Sequence, residues 1–406
     1  MKKNLLYNEG TSYRVKIYKA NKKFIFVKKK YLDLSYASGS LLLGHNSNIL
    51  KKTIKKQLNI GTNFSHPNIY SYKYSLLLGK IFKEYSKFIF CVSGTDANMK
   101  VLRIARAISN KNKIAILHGS WHGSVDELLY SVNRDYKEIF PISKGLNINK
   151  NIVILPYNDF TKTKEILDKE YKNISLLIIE PIQQLIPDYK NEKYIQDLIK
   201  YCKKKMIKTC FDEMVTGLRS SQITVQNKLK IYPEFLTLGK IFGGGFPIGI
   251  IAIHRTIVKK YDNKIKKVFF GGTYSLNPTS HNVGIQTVKY VLKNKNKIYN
   301  KINSLAKILT DNLNKFLEKN KIDIKIYRYE SIVRIIYSNK LINNKHDKEK
   351  FEKIKKNRIL DFKKYIFRKN IFCSENGAIF LSYQNNLKDI KYIVQIFTKG
   401  FKKYFG

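Results

Sequence analysis

The sequence predicts an α/β protein: a mostly parallel, doubly wound sheet with a smaller α+β domain. Three observations lead there. Between residues 85 and 255, short apolar runs alternate with helical patterns. The runs lack in-out alternation, as expected for strands buried on both faces. After about residue 290 the pattern changes to long amphipathic helices and alternating strands.

The elements follow in order. FIFVKKKYLDLSY (24–36) reads as short strands, and residues 1–45 are assigned with them to the smaller domain. Residues 46–290 form the large domain. Its strand candidates are FIFCV (88–92), KIAILH (113–118), SLLIIE (175–180), IKTCFD (207–212), EFLTLG (234–239) and IGIIAIH (248–254). They are short, β-branched or aromatic, and bounded by Gly, Pro, Asp or Asn. Helical patterns between them suggest right-handed βαβ units. Residues 291–406 form the C-terminal α+β domain. Residues 289–320 read as one or two amphipathic helices, IDIKIYRYE and SIVRIIYS as strands, 346–369 as a lysine-rich helix, AIFLSYQ (378–384) as a strand and 387–404 as a last helix.

Composition narrows the function. Apolar residues make up 43% of 406, enough for a globular core. No apolar run reaches the ~18–20 residues that span a bilayer. MKKNLLYNEG has no secretory apolar stretch, so a cytoplasmic location is expected. Cys91, Cys202, Cys210 and Cys373 form no C-x-x-C pair and read as free thiols in a reducing compartment. The net charge of +47 raises nucleic-acid binding. Lysine is enriched together with Asn, Ile and Tyr, however, all with A/T-rich codons. It is scattered, as in KKTIKKQ (51–57). Most lysines read as solvated heads on apolar stems, and nucleic acid is not an expected partner.

Five stretches sit where a doubly wound sheet places ligands, at strand C-termini, and a sixth is a separate turn that could equally be an ordinary surface turn. In CVSGTDANMKVLRIARAI (91–108) a strand ends, Ser93, Gly94 and Thr95 turn, and a helix begins. Its free N–H groups suit a phosphate, although S-x-x-D is also an ordinary capping box. HGSWHGSVDELLY (118–130) carries Trp121 before His122; the ring could stack on a planar ligand or pack in the core. LLIIEPIQQ (176–184) and TCFDEMVTGLR (209–219) end buried strands in carboxylates. A carboxylate as deep as Asp212 needs a cationic or N–H partner, which a protonated ring nitrogen or a salt bridge would supply. In LTLGKIFGGGFP (236–247) Lys240 follows a strand, and Gly243, Gly244 and Gly245 read as a turn that lets chain and ligand approach. Such a lysine can form a Schiff base, or be one more loop lysine. FFGGTYSLNP (269–278) offers Thr273 in a further Gly-Thr turn.

In that order and spacing these stretches resemble the class III pyridoxal-phosphate-dependent aminotransferases, and by motif most nearly their glutamate-1-semialdehyde aminomutase branch. LGHN (43–46), GTNFSHP (61–67), LPYND (155–159) and PEFLTLGK (233–240) add to the likeness. The resemblance implies fold type I and the cofactor pyridoxal 5'-phosphate. It implies that Lys240 is the Schiff-base lysine and proton shuttle and that Asp212 pairs with the ring nitrogen. It places Ser93, Gly94 and Thr95 at the phosphate, with His122 beside the Trp121 turn. Thr273 would reach that phosphate from a second subunit of a homodimer. Trp121 would stack on the ring, Met214 would meet its other face, and Gln183 would bond its hydroxyl. Glu180 and Glu213 would orient their neighbours.

The sequence departs from the aminomutase pattern at substrate-facing positions. Leu185 stands where an Asn is usual, Leu276 replaces a Gly, and Gly145 is the one glycine kept in the lid stretch. The carboxylate-binding arginine of the aminomutase's early segment has no counterpart here, since Arg14 falls in a later strand. The expected function is therefore amino transfer to or from a small aldehyde or keto substrate, with the aminomutase as alternative. A non-catalytic basic nucleic-acid-associated protein and a regulatory subunit are the competing classes.

Overall fold

The computed structural model describes residues 15–374 and 377–406. Arg14 lies outside them. The chain separates into two compact units. The larger holds 48–299 and 341–349; the smaller holds the described residues up to 47, then 300–340 and 350–406.

Seven strands form the sheet of the larger unit: β1 (Tyr85–Cys91), β2 (Lys113–Leu117), β3 (Ile152–Leu155), β4 (Ile174–Ile179), β5 (Thr209–Asp212), β6 (Phe235–Gly239) and β7 (Gly249–His254). Their spatial order is β1-β7-β6-β5-β4-β2-β3. β2 is parallel to β3 and β4, and β5 is parallel to β4 and β6. β7 runs against its neighbours β6 and β1. The strands β4, β5 and β6 are buried at every position, which is why ISLLII and FLTLG show no alternation. Each Ile or Leu so buried is worth about 1.5–3 kcal/mol. β3 was not read as a strand; its four residues before Pro156 carry little pattern.

Helix α1 (Gly94–Ser109) follows β1. Ala97, Val101, Ile104, Ala105 and Ile108 point into the core with Ile116, Ile178 and Ile251 of the sheet. Ser93 caps it, its Oγ accepting from the Asp96 N–H at 3.1 Å, and Asn110 closes it in the left-handed conformation.

The smaller unit has a four-stranded sheet, in the order Lys19–Asn21, Phe24–Phe26, Lys30–Asp33 and Ile371–Phe372. A second sheet joins Lys325–Tyr329, Ile332–Ile336 and Ala378–Phe380. Leu309, Leu313, Phe362, Phe397 and Phe401 meet in its core. One helix expectation is met and one changes. Residues 289–320 fall in two helices, Pro278–Lys293 and Lys295–Lys319, separated at Asn294. The lysine-rich segment also splits, into Lys345–Lys353 with no buried residue and Lys356–Arg368 anchored by Phe362 and Ile366. Residues 341–349 belong with the larger unit although they come late in the chain. Among the described residues no helix is long and apolar enough to cross a membrane.

Candidate active site

A cavity of about 320 Å³ opens where the chain leaves β1, β2, β5 and β6. Ser93, Gly94 and Thr95 line it after β1, Trp121, His122 and Gly123 after β2, Asp212 and Met214 at β5, and Lys240 after β6. Phe246, Pro247 and Ile248 close it before β7. A larger cavity, about 660 Å³, is lined mainly by apolar residues such as Leu76, Phe88 and Phe270 and gathers no catalytic grouping. Chemistry, not volume, marks the site.

Asp212 ends β5 and is buried. One carboxylate oxygen accepts from Asn98 Nδ2 at 2.8 Å and His122 Nδ1 at 2.7 Å; the other accepts from the Met214 N–H at 3.1 Å. A buried carboxylate stays favourable only with such donors. The His122 bond fixes the Nδ1–H tautomer; its Nε2 is buried and has no hydrogen-bond partner among the described residues. Asn98 joins the elements: its amide also donates to the His122 carbonyl at 3.0 Å and accepts from Thr237 Oγ1 at 2.9 Å. Neither Asn98 nor Thr237 was singled out from the sequence. A polar residue on a buried helix face, and one threonine inside FLTLG, are the signals that would have found them.

The N-terminus of α1 forms another side of the cavity. Thr95 Oγ1 accepts from the Ser124 N–H at 3.1 Å. A Cβ on Gly123, whose φ is +84°, would meet that oxygen at 2.3 Å, so the turn after Trp121 must carry glycine. Trp121 itself is 48% exposed.

Lys240 stands at the end of β6 with φ +48°, left-handed for a residue with a side chain. That backbone costs about 1–2 kcal/mol and persists only where its surroundings enforce it. Two of the glycines after it also sit close to other parts of the chain. A Cβ on Gly244 would strike Thr287 Oγ1 at 2.2 Å and Val283 at 2.9 Å, and one on Gly243 would strike Ile248. Gly244 lets the turn pack on the helix Pro278–Lys293.

Two expected residues lie away from the cavity wall. Gln183 directs its amide N–H groups to the His118 carbonyl at 3.2 Å and Ser120 Oγ at 2.8 Å, and its oxygen is buried without a hydrogen-bond partner among the described residues. Thr273 is exposed, and its carbonyl accepts from Ser65 Oγ at 3.2 Å. The motif acids are structural partners. Glu180 accepts from the Trp121 and Gln184 N–H groups at 3.3 and 3.2 Å. Glu213 accepts from Thr216 Oγ1 and from the Val225 and Gln226 N–H groups. Burial pushes both carboxyls up to about 7.

The donor set suits a planar ring with an acidic nitrogen, a phosphate and an aldehyde. The buried Asp212 meets the first, the α1 N-terminus the second and the Lys240 amine the third. Gly94 and Gly239 have no Cβ to fill the space beside Met214: one added to either would lie 2.9 and 2.6 Å from its sulfur. The residues present therefore fit pyridoxal phosphate. With the sheet that carries them, they define a pyridoxal-phosphate-dependent transferase of fold type I.

The chain belongs to the class-III aminotransferases, whose sequence profile matches residues 11–329. A glutamate-1-semialdehyde 2,1-aminomutase of Wigglesworthia glossinidia brevipalpis is 33% identical over 316 residues, 76% of this chain and 72% of that one. The aminomutase of Thermosipho africanus is 29% identical over 401 residues, 96% of this chain and 92% of its own. An omega-transaminase structure from Sphaerobacter thermophilus has a TM-score of 0.86, covers 97% of this chain and 92% of its own, and is 20% identical, a likeness of fold.

Proposed function

We propose that this chain moves an amino group to or from a small aldehyde or keto substrate, with Lys240 as the catalytic base and cofactor anchor. One observation carries the reading: Lys240, the buried Asp212 and the α1 N-terminus line one cavity. Bound pyridoxal phosphate supplies a carbonyl that condenses with amines and a ring that takes up the charge left by a departing proton. Asp212 holds a proton on the ring nitrogen, steadied by Asn98 and His122. The Lys240 amine would take the proton from the substrate's α-carbon and return it two bonds away, at the cofactor's carbonyl carbon. Ser93, Gly94 and Thr95 hold the phosphate. Trp121 and Met214 cover the two ring faces and exclude water. Gln183 is assigned to the ring hydroxyl through its unpartnered oxygen.

The enzyme acts as a cytoplasmic homodimer, and Thr273 completes the phosphate site of the second copy. An exposed apolar face supports this. Phe64, Ile69, Tyr72, Phe269 and Tyr274 are exposed, on segments joined by the Asn68 Nδ2 to Leu276 carbonyl bond at 2.8 Å. The second reading, aminomutation of glutamate-1-semialdehyde, is favoured by relatives bearing that name over almost the full chain.

The test starts with protein loaded with pyridoxal phosphate. A visible absorbance band is expected, and borohydride should fix the cofactor on the peptide that contains Lys240. Lys240→Ala should lose the band, the fixation and at least ~10³-fold in rate. A coloured and active Lys240→Ala protein would refute the assignment. Turnover of glutamate-1-semialdehyde to 5-aminolevulinate, compared with a panel of aldehydes and keto acids, decides between the two readings.

A further inference from the structure

Residues 341–349 lie late in the sequence yet pack within the larger unit. The proposed chemistry gives them no task. Asn158 Nδ2 holds the Asn343 carbonyl at 3.0 Å. Asn344 Oδ1 accepts from the Asp347 N–H at 3.1 Å and starts the helix Lys345–Lys353. That fixes the direction of Lys345 and His346.

Both residues meet the turn after β2. The His346 ring packs on His118 with centroids 4.2 Å apart, and sets its edge toward Tyr136 at 5.7 Å. His118 is buried; its Nε2 lies 3.1 Å from Ser131 Oγ and its Nδ1 3.4 Å from the Tyr136 hydroxyl. Burial, with His346 and Lys345 nearby, pushes His118 down to about 3, so the contact is between uncharged rings near neutrality. Next in the chain is Gly119, with φ +92°. A Cβ there would lie 3.0 Å from Leu185 Cδ2, 3.1 Å from Gln183 Oε1 and 3.3 Å from Lys345 Cβ.

The turn 118–123 thus has two anchored ends. At the far end Asp212 holds the His122 ring and Asn98 holds its carbonyl. At the near end the His346 ring packs on His118, and the Lys345 stem lies close beside Gly119. Trp121 sits between them, half exposed, with a long N–H bond of 3.3 Å to Glu180. Its position follows from the anchors on either side.

We propose that 341–349 is a positioning element for Trp121, acting through the His346 ring on His118 and the Lys345 stem on Gly119. This rests on the reading that Trp121 covers the cofactor ring. His346 is a positioning residue and touches no reacting atom.

Trp121 is the only tryptophan, so fluorescence excited at the red edge of its band, where the 28 tyrosines do not absorb, reads this turn alone. The experiment compares emission and acrylamide quenching with and without saturating pyridoxal phosphate, alongside circular dichroism. In folded His346→Ala, a red shift, a higher acrylamide quenching constant and weaker quenching by the cofactor are expected. His346→Phe, which keeps a ring, should restore the parent values. Should His346→Ala not fold, Lys345→Gly tests the second contact and should give the same three changes in smaller measure. Parent-like emission in a folded His346→Ala protein, or in folded Lys345→Gly where it stands in, would overturn the proposal. Equal shifts for the Ala and Phe variants would overturn it too. Failure of the underlying reading looks different: the parent's own Trp121 emission would not respond to the cofactor.

Discussion

Met214 ties together two glycines that are far apart in sequence. A Cβ on Gly94 would have Met214 atoms as its three nearest neighbours, at 2.9, 3.2 and 3.4 Å. A Cβ on Gly239 would meet the same sulfur at 2.6 Å and the Ile248 carbonyl at 2.9 Å. The two collisions differ in kind, since a thioether can rotate away and a backbone carbonyl cannot. Gly94→Ala is expected to cost about 1–3 kcal/mol and to weaken cofactor binding. Adding Met214→Ala should recover most of that loss, a non-additive pair. Gly239→Ala should stay impaired in either background. Urea unfolding and cofactor titration of the single and double variants measure it; additive losses for Gly94 and Met214 would contradict the shared contact. The sequence showed Met214 as an apolar residue after a pair of acids. Its contact with both glycines is a matter of distance, which residue order does not carry.

At the scale of elements, the site is a junction of α1, the turn after β2, and strands β5 and β6. Much of this was legible. The capping Ser93, the apolar face of α1 and the strand-end Asp212 each leave a pattern of neighbours along the chain. Asn98 left a weaker one, a polar residue on the buried face of α1, because a lone asparagine in a helix is ordinarily on the surface; only the packing of α1 turns it toward Asp212. Gly243 and Gly244 left as little: glycine signals close approach without naming what approaches, here Ile248, Thr287 and Val283. Asn98 bonds Asp212, the His122 carbonyl and Thr237 at once. Asn98→Leu removes these and leaves Thr237 Oγ1 without that acceptor, at a cost of about 1–3 kcal/mol. Asn98→Asp should be worse, since it sets a second carboxylate against Asp212. The expected order of stability near neutral pH, by chemical denaturation without cofactor, is Asn98, then Leu, then Asp. An Asp variant as stable as the parent would remove Asn98 from the account of how Asp212 is held.

For the whole molecule, buried parallel strands announced the sheet, because burial on both faces writes an unbroken apolar run. β3 escaped at four residues, and 341–349 escaped because nothing local says which unit a short polar segment joins. Charge acts at this scale as well. With 77 Lys and Arg against 30 Asp and Glu, one-to-one pairing still leaves 47 cations without a carboxylate. Two such chains repel, while the exposed apolar face with Ile69, Tyr72 and Phe269 favours their association. Salt acts on the two forces differently. It screens exposed charges beyond about 10 Å at 0.1 M and leaves apolar burial nearly unchanged. The proposed dimer is therefore expected to tighten as salt rises from about 0.01 to 0.15 M, where the Debye length falls from about 30 to 8 Å. Sedimentation at fixed low protein concentration should show a mass moving toward twice 47.5 kDa as salt is added. Steps bound to the dimer should follow, with the Thr273-dependent part of cofactor affinity strengthening over the same range. A dimer that loosens with salt would mean that ion pairs hold it. A monomer at every salt concentration would remove Thr273 from the phosphate site.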